Sequence, residues 1–134
     1  MKITSKIING LQSEVDNNRG HKIITDVPEN IGGNNLGPTS LELTSMGLGG
    51  CITTIFMMLA NKMRLTIIYI EAELEIEKLK TSPTITSVFI LVKVKSEEPV
   101  ELIEKCLNLT IQNCPVSILF EDAGIPIEYD LITL

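Results

Sequence analysis

Aromatic residues are scarce in this sequence, which has no tryptophan, two tyrosines and three phenylalanines. A hydrophobic core must therefore be built mainly from isoleucine, leucine, valine and methionine. The 134 residues are enough for a domain that buries about two-thirds of its unfolded surface. We expect one domain over residues 1–134.

Basic residues are also few in this sequence. Eleven lysines and arginines stand against seventeen aspartates and glutamates, and the basic residues are scattered. Nucleic-acid binding requires clustered basic residues, so this class of partner is excluded. Met1–Gly10 lacks the apolar run of a signal peptide, and the longest apolar run, Met46–Ala60, is too short to span a bilayer. We therefore expect a cytoplasmic protein that binds no membrane.

The residues that usually hold metals are few and separated. There are three cysteines and one histidine, with no C-x-x-C motif, so neither a disulfide framework nor a zinc site is indicated. Four glutamates alternate along a predicted strand face about 20 Å long, where they cannot converge on a metal ion; they are Glu71, Glu73, Glu75 and Glu77. We expect no metal and no cofactor.

Hydrophobic periodicity predicts an α+β fold. Ile68–Lys78 alternates apolar and polar residues and predicts a long strand, with Thr84–Lys95 as its hairpin partner. Leu41–Asn61 predicts a helix that is apolar nearly all round, which indicates burial on more than one side. The other predicted elements are strands at 2–8, 11–15, 21–26 and 125–133 and helices at 99–111 and 115–121. The predicted order is βββ-α-ββ-α-α-β.

Cys114 precedes Pro115 at a predicted helix start. Unpaired N–H groups and the positive end of the helix dipole favour a thiolate there, and such cysteines are often reactive. Packing or capping alone explains this position equally well. Cys106 lies on the apolar stripe of its helix and is interpreted as a core residue.

Cys51 lies in the long helix beside Gly47, Gly49 and Gly50. Each interior glycine costs about 1 kcal/mol relative to alanine, so three together predict close approach by another backbone or chain. A small residue in a crowded core is the alternative interpretation of Cys51.

Two segments resemble the signatures of OsmC/Ohr proteins. Gly37–Leu43, followed by Gly49-Gly50-Cys51, resembles a Pro-x-x-x-Glu-Leu segment that leads into a helix with a buried cysteine. Asn113–Ser117 resembles the Cys-Pro-[Val/Ile]-Ser motif at a helix start, and the separation of the two cysteines also matches. His21, Asp26 and Gly32-Gly33 are similar to one branch of this family.

This resemblance implies an intertwined homodimer, in which long central helices pack against antiparallel sheets and active sites lie at the subunit interface. It also implies thiol-dependent reduction of organic hydroperoxides. Cys51 would be the peroxidatic thiol and Cys114 the resolving thiol, and an external dithiol would reduce their disulfide.

Family peroxidases hold the attacking thiolate with an arginine and a glutamate. Arg19 is similar in placement to the family arginine, although a solvated turn residue is an equal explanation. Glu42 lies nine residues before Cys51, one fewer than is typical, and a first-turn helix charge explains it as well. The alternative functions are a catalytically silent relative that binds a small apolar or thiol-reactive molecule at the dimer interface, and a purely structural dimer.

Overall fold

The structure is a computed structural model that describes residues 1–134. It confirms the predicted α+β order. It has two compact units, Met1–Met46 and Gly47–Leu134, and their boundary lies within the long helix; the single domain expected over residues 1–134 stays a prediction. The elements are β1 (Thr4–Asn9), β2 (Gln12–Asp16), β3 (Lys22–Thr25), a 3₁₀ turn (Glu29–Ile31), α1 (Ser40–Lys62), β4 (Ile67–Glu77), β5 (Ser87–Ser96), α2 (Val100–Asn113), α3 (Pro115–Asp122) and β6 (Ile127–Thr133).

The amino-terminal unit is an antiparallel sheet in the order β1-β2-β3. Its first turn uses the predicted Asn9-Gly10 pair, with Gly10 at φ 55°. The unit buries Gln12, Thr25 and Asp26, all of them polar, and none of its apolar side chains. It therefore has no hydrophobic core of its own within the chain.

Asp26 organises the loop after β3. Its side chain is 2 % exposed. One carboxylate oxygen accepts the Val27 N–H at 2.8 Å, and the other accepts the Asn34 and Leu36 N–H groups at 3.1 Å each and the Gln12 side-chain amide at 3.4 Å. Burial raises the pKa of the Asp26 carboxyl, but these hydrogen bonds outweigh burial and hold the pKa below its ordinary value.

The start of α1 is fixed by a capping box. The Thr39 hydroxyl accepts the Glu42 N–H at 3.2 Å, and the Glu42 carboxylate accepts the Thr39 N–H at 2.7 Å. Further along, the helix buries one stripe with a spacing of four residues, and those side chains are fully buried: Leu48, Ile52, Phe56 and Ala60. The predicted burial on more than one side is not found within one chain, where Met46 and Met58 are 59 % and 62 % exposed.

By length and composition alone α1 is also long and apolar enough to cross a membrane. The apolar run Met46–Ala60 is only part of this longer helix. The central helix of a globular protein meets the same criteria, and one stripe of α1 lies in the core of the carboxy-terminal unit.

The carboxy-terminal unit contains a sheet in the order β4-β5-β6. β5 buries Val88, Ile90, Val92 and Val94 on its inner face. The β4–β5 pair is antiparallel as predicted, with a bulge between Ile67 and Tyr69 that leaves Ile68 outside the inner face. The fully antiparallel sheet expected from the sequence is wrong for β6, which pairs with β5 in parallel. α2 and α3 form the crossover that a parallel pair requires.

We predict that Asp26→Asn lowers the urea midpoint of unfolding, because asparagine replaces one acceptor oxygen with an amide donor that faces N–H groups. The folded pKa of Asp26 is lowered, so its contribution is present above the unfolded pKa and is lost as the pH falls below about 4. The difference between wild type and variant should therefore shrink at acidic pH. Glu29→Gln, in the same loop but exposed, is the matched control and should leave the urea midpoint unchanged. Equal midpoints for wild type and Asp26→Asn at neutral pH would contradict the prediction.

Candidate active site

Cys114 joins two helices. It is the carboxy-terminal cap of α2, where its N–H donates to the Thr110 carbonyl at 2.8 Å, and the amino-terminal cap of α3. Its sulfur accepts the Ser117 backbone N–H at 3.4 Å. Pro115 occupies the first position of α3, where a missing N–H costs nothing. The sequence-based position of Cys114 at a helix start is therefore confirmed, and its side chain is fully buried.

Cys51 comes from α1 and lies beside Cys114. Cys51 packs against the core cluster that contains Cys114. The Cys114 thiol and the Val116 backbone N–H both lie near enough to act on the pKa of the Cys51 thiol. Cys51 is partly exposed, whereas Cys114 is fully buried. Both thiols are reduced.

Burial raises the pKa of the Cys51 thiol, and the neighbouring Cys114 thiol raises it further, in part through charge repulsion. The Val116 N–H acts in the opposite direction but is outweighed. Within the chain, Cys51 is therefore held as a neutral thiol to a higher pH than a free cysteine. A nearby cation would be needed to reverse this.

Arg19 lies in the exposed turn between β2 and β3, where its backbone N–H donates to the Asn17 side-chain oxygen at 2.9 Å. Glu42 is exposed, and its carboxylate is engaged in the capping box with Thr39. The assignment of Arg19 and Glu42 to the thiol site stays a prediction. His21 is exposed, and its ring is hydrogen-bonded to Asn17 at 3.0 Å within the same turn.

Cys106 packs in the core, as expected. It is fully buried, and its thiol donates to the Phe56 carbonyl at 3.7 Å. Burial raises the pKa of the Cys106 thiol, and a hydrogen bond with Thr110 acts against this. No three His, Cys, Asp or Glu side chains are grouped in a way that could hold a metal ion.

Val116 and Ser117 lie in the motif at residues 113–117, but sequence reasoning gave neither of them a role. The helix start at Cys114 indicated free N–H groups, but not that the Val116 N–H would act on the pKa of a thiol on α1. The Ser117 hydroxyl is buried without a hydrogen-bond partner. The Cys-Pro-[Val/Ile]-Ser motif contains this serine, but the motif alone does not indicate that its hydroxyl is buried without a partner.

A family model described as OsmC-like protein matches residues 32–130 of the chain. The chain belongs to the OsmC-like protein family. The match includes both cysteines of the site, and it confirms the family that the two sequence segments resemble.

Solved structures agree with this assignment at the level of the fold. An OsmC-like protein from Mycoplasma pneumoniae superposes with a TM-score of 0.87 at 13% identity, covering 99% of this chain and 96% of that one. An organic hydroperoxide resistance protein OsmC from Legionella pneumophila has a TM-score of 0.75 at 15% identity, covering 98% and 96%. An organic hydroperoxide resistance protein from Elizabethkingia anophelis has a TM-score of 0.74 at 14% identity, covering 100% of this chain and 97% of that one. The search of curated proteins returned no match.

We predict that Cys114→Ala lowers the pH at which Cys51 ionises, because Cys114 supplies two of the three effects that raise the Cys51 pKa. The rate of Cys51 alkylation by iodoacetamide, measured against pH by mass spectrometry, gives this midpoint. Cys106→Ala is the control and should leave the midpoint unchanged, since the Cys106 thiol donates to the Phe56 carbonyl. An identical Cys51 midpoint with and without Cys114 would show that the two thiols do not interact.

Proposed function

We propose that this OsmC-like protein reduces organic hydroperoxides with Cys51 and Cys114. The observation that supports the proposal is that Cys51 packs against the core cluster containing Cys114, so that thiols from different helices, far apart in sequence, are neighbours. Two of the structures with this fold are organic hydroperoxide resistance proteins. A pair of adjacent thiols can be oxidised to a disulfide and reduced again without a metal.

The burial of the two thiols supports their order of reaction. Cys51 is partly exposed and Cys114 is fully buried, so a dissolved oxidant reaches Cys51 first. The Cys51 thiolate attacks one peroxide oxygen, the O–O bond breaks, and an alcohol leaves after taking up a proton. Cys114 then attacks the sulfenic sulfur, which forms the Cys51–Cys114 disulfide and releases water. A dithiol from the reducing cytoplasm restores both thiols.

The thiolate must be stabilised for this reaction, because burial and Cys114 both raise the pKa of Cys51. In the family this is the task of an arginine and a glutamate. We assign it to Arg19, whose side chain is exposed, and to Glu42. A guanidinium beside Cys51 would favour the charged form of the thiol.

We expect Cys51→Ser to reduce hydroperoxide turnover at least about a hundredfold, as follows from loss of a covalent nucleophile. Without added thiol, Cys114→Ser should consume about one equivalent of peroxide and end as a Cys51 sulfenic acid, because the intramolecular disulfide cannot form. Peroxide loss with excess dithiothreitol measures the effect of Cys51→Ser, and the mass of protein oxidised without dithiothreitol measures that of Cys114→Ser. Cys106→Ser is the control and should retain turnover; full turnover by Cys51→Ser would rule out the mechanism.

We also propose that the protein is a homodimer that covers the apolar surface left open in one chain. The amino-terminal unit exposes apolar side chains without burying any, and α1 exposes Met46 and Met58. A Cβ built at Gly47 or Gly50 meets no atom within 4 Å, so the close approach expected there is absent within the chain. A second copy packed against this face of α1 would account for both glycines.

The double variant Gly47→Ala/Gly50→Ala tests the homodimer. In an isolated chain each substitution should stabilise α1 by up to about 1 kcal/mol, because there is room for the methyl group and alanine is the better helix former. In a closely packed dimer the same methyl groups should separate the helices and weaken dimerisation. Sedimentation over a range of concentrations measures the dissociation constant, with Lys105→Ala, at an exposed position of α2, as a control away from α1. A double variant that stays as dimeric as wild type and melts higher would contradict this packing.

A second candidate function is supported by the raised pKa of Cys51. A thiol that stays neutral at physiological pH fits a catalytically silent relative, which would bind a small apolar or thiol-reactive molecule at the dimer interface. The absolute ionisation midpoint of Cys51 in the wild-type protein separates the two functions. A midpoint well below that of free cysteine, about 8.5, supports the peroxidase, and a midpoint above it supports the silent relative.

A further inference from the structure

The Ser117 hydroxyl is the only buried side-chain nitrogen or oxygen atom without a hydrogen-bond partner. The residue is fully buried. Buried polar groups in folded proteins are nearly always paired, and an unpaired hydroxyl destabilises the fold. A partner for this hydroxyl in another state of the protein would explain its retention in the core.

The position of Ser117 indicates which partner this is. Ser117 is the third residue of α3, and Cys114 is the cap. A side chain at the third position of a helix points back toward the cap, as in a capping box. The Ser117 backbone N–H already donates to the Cys114 sulfur at 3.4 Å. A neutral thiol is a weak acceptor, whereas a thiolate accepts strong, charge-assisted hydrogen bonds.

We propose that the Ser117 hydroxyl donates a hydrogen bond to the Cys114 thiolate when reduction of the Cys51–Cys114 disulfide releases it. The inference rests on the proposed function, because it requires this disulfide. Ser117 thereby becomes the residue that determines how readily the oxidised protein is regenerated.

The unequal burial of the two sulfurs determines which of them leaves. A thiolate of the external dithiol attacks Cys51, since Cys51 is partly exposed and Cys114 is fully buried. The new S–S bond joins the dithiol to Cys51, the Cys51–Cys114 bond breaks, and its electron pair goes to the Cys114 sulfur. The second thiol of the dithiol then attacks the mixed disulfide, which releases Cys51 and the cyclic oxidised reductant, and both protein thiolates take up protons.

Cys114 is therefore a buried leaving group, and thiol–disulfide exchange is faster when the leaving thiolate is stabilised. Water cannot solvate a sulfur that is fully buried. The Ser117 backbone N–H supplies one donor to it, and the Ser117 hydroxyl supplies a second as soon as the charge appears. The cost of an unpaired hydroxyl in the reduced protein is then offset in the state where the hydrogen bond forms.

The test uses the full chain with its disulfide formed by diamide, so that the readout does not depend on hydroperoxide. We expect Ser117→Ala to slow reduction by dithiothreitol about tenfold, as is typical for loss of one hydrogen bond to a charged group. Ser117→Thr keeps the hydroxyl and should restore most of the rate. The unfolding midpoint of reduced Ser117→Ala should equal or exceed that of wild type, because only an unpaired oxygen has been removed.

Thr110→Val is the matched control, because the Thr110 hydroxyl is fully buried but paired with the Cys106 carbonyl at 2.8 Å. It should lower the unfolding midpoint and leave the reduction rate unchanged. Equal reduction rates for wild type and Ser117→Ala, or equal slowing by Thr110→Val and Ser117→Ala, would overturn the inference. A protein that shows the slowing but reduces no hydroperoxide would overturn the proposed function and leave the role of Ser117 intact.

Discussion

The burial of one stripe of α1 determines where the Cys51 thiol lies. Leu48, Ile52 and Phe56 are fully buried and belong to the core of the carboxy-terminal unit. Cys51 precedes Ile52, so its side chain is at the edge of this stripe, with the sulfur beside α3 and part of its surface open. The position of Cys114 follows from a second constraint, because one residue ends α2 and begins α3. Both constraints come from packing and helix capping, so the fold alone determines where the two thiols lie.

The distribution of buried apolar residues makes the two units unequal. Every buried apolar side chain lies in Gly47–Leu134, whereas Met1–Met46 buries only polar side chains. A three-stranded sheet without a hydrophobic face packed on something is marginal in water. The hydrogen bonds around Asp26 order its loop but contribute no apolar burial. A second chain that covers this surface would supply the missing hydrophobic burial, and the open space at Gly47 and Gly50 is consistent with a partner that approaches α1 closely.

Most elements could be predicted from sequence because their signals are local. The Asn9-Gly10 turn, the start of α1 and the start of α3 each depend on residues next to one another in the chain. Three features could not be predicted. The parallel pairing of β6 depends on where the α2–α3 crossover returns the chain, and the bulge at Ile68 depends on register with β5. The effect of the Val116 N–H on Cys51 depends on how the fold places the start of α3 relative to α1, which periodicity does not encode.

The position of Cys51 beside Cys114 disfavours the negative charge that its thiolate would carry. The closeness of the two thiols raises the pKa of Cys51, since a thiolate there would face the second sulfur in a partly buried environment. One N–H from the first turn of α3 is not enough to reverse this effect. The cation that the chemistry needs must then come from outside the immediate pair, and Arg19 belongs to the unit without an apolar core. If dimerisation orders that unit, then thiol activation and subunit assembly depend on the same surface. Reactivity of Cys51 in a dilute, dissociated chain would consequently be that of an ordinary buried thiol.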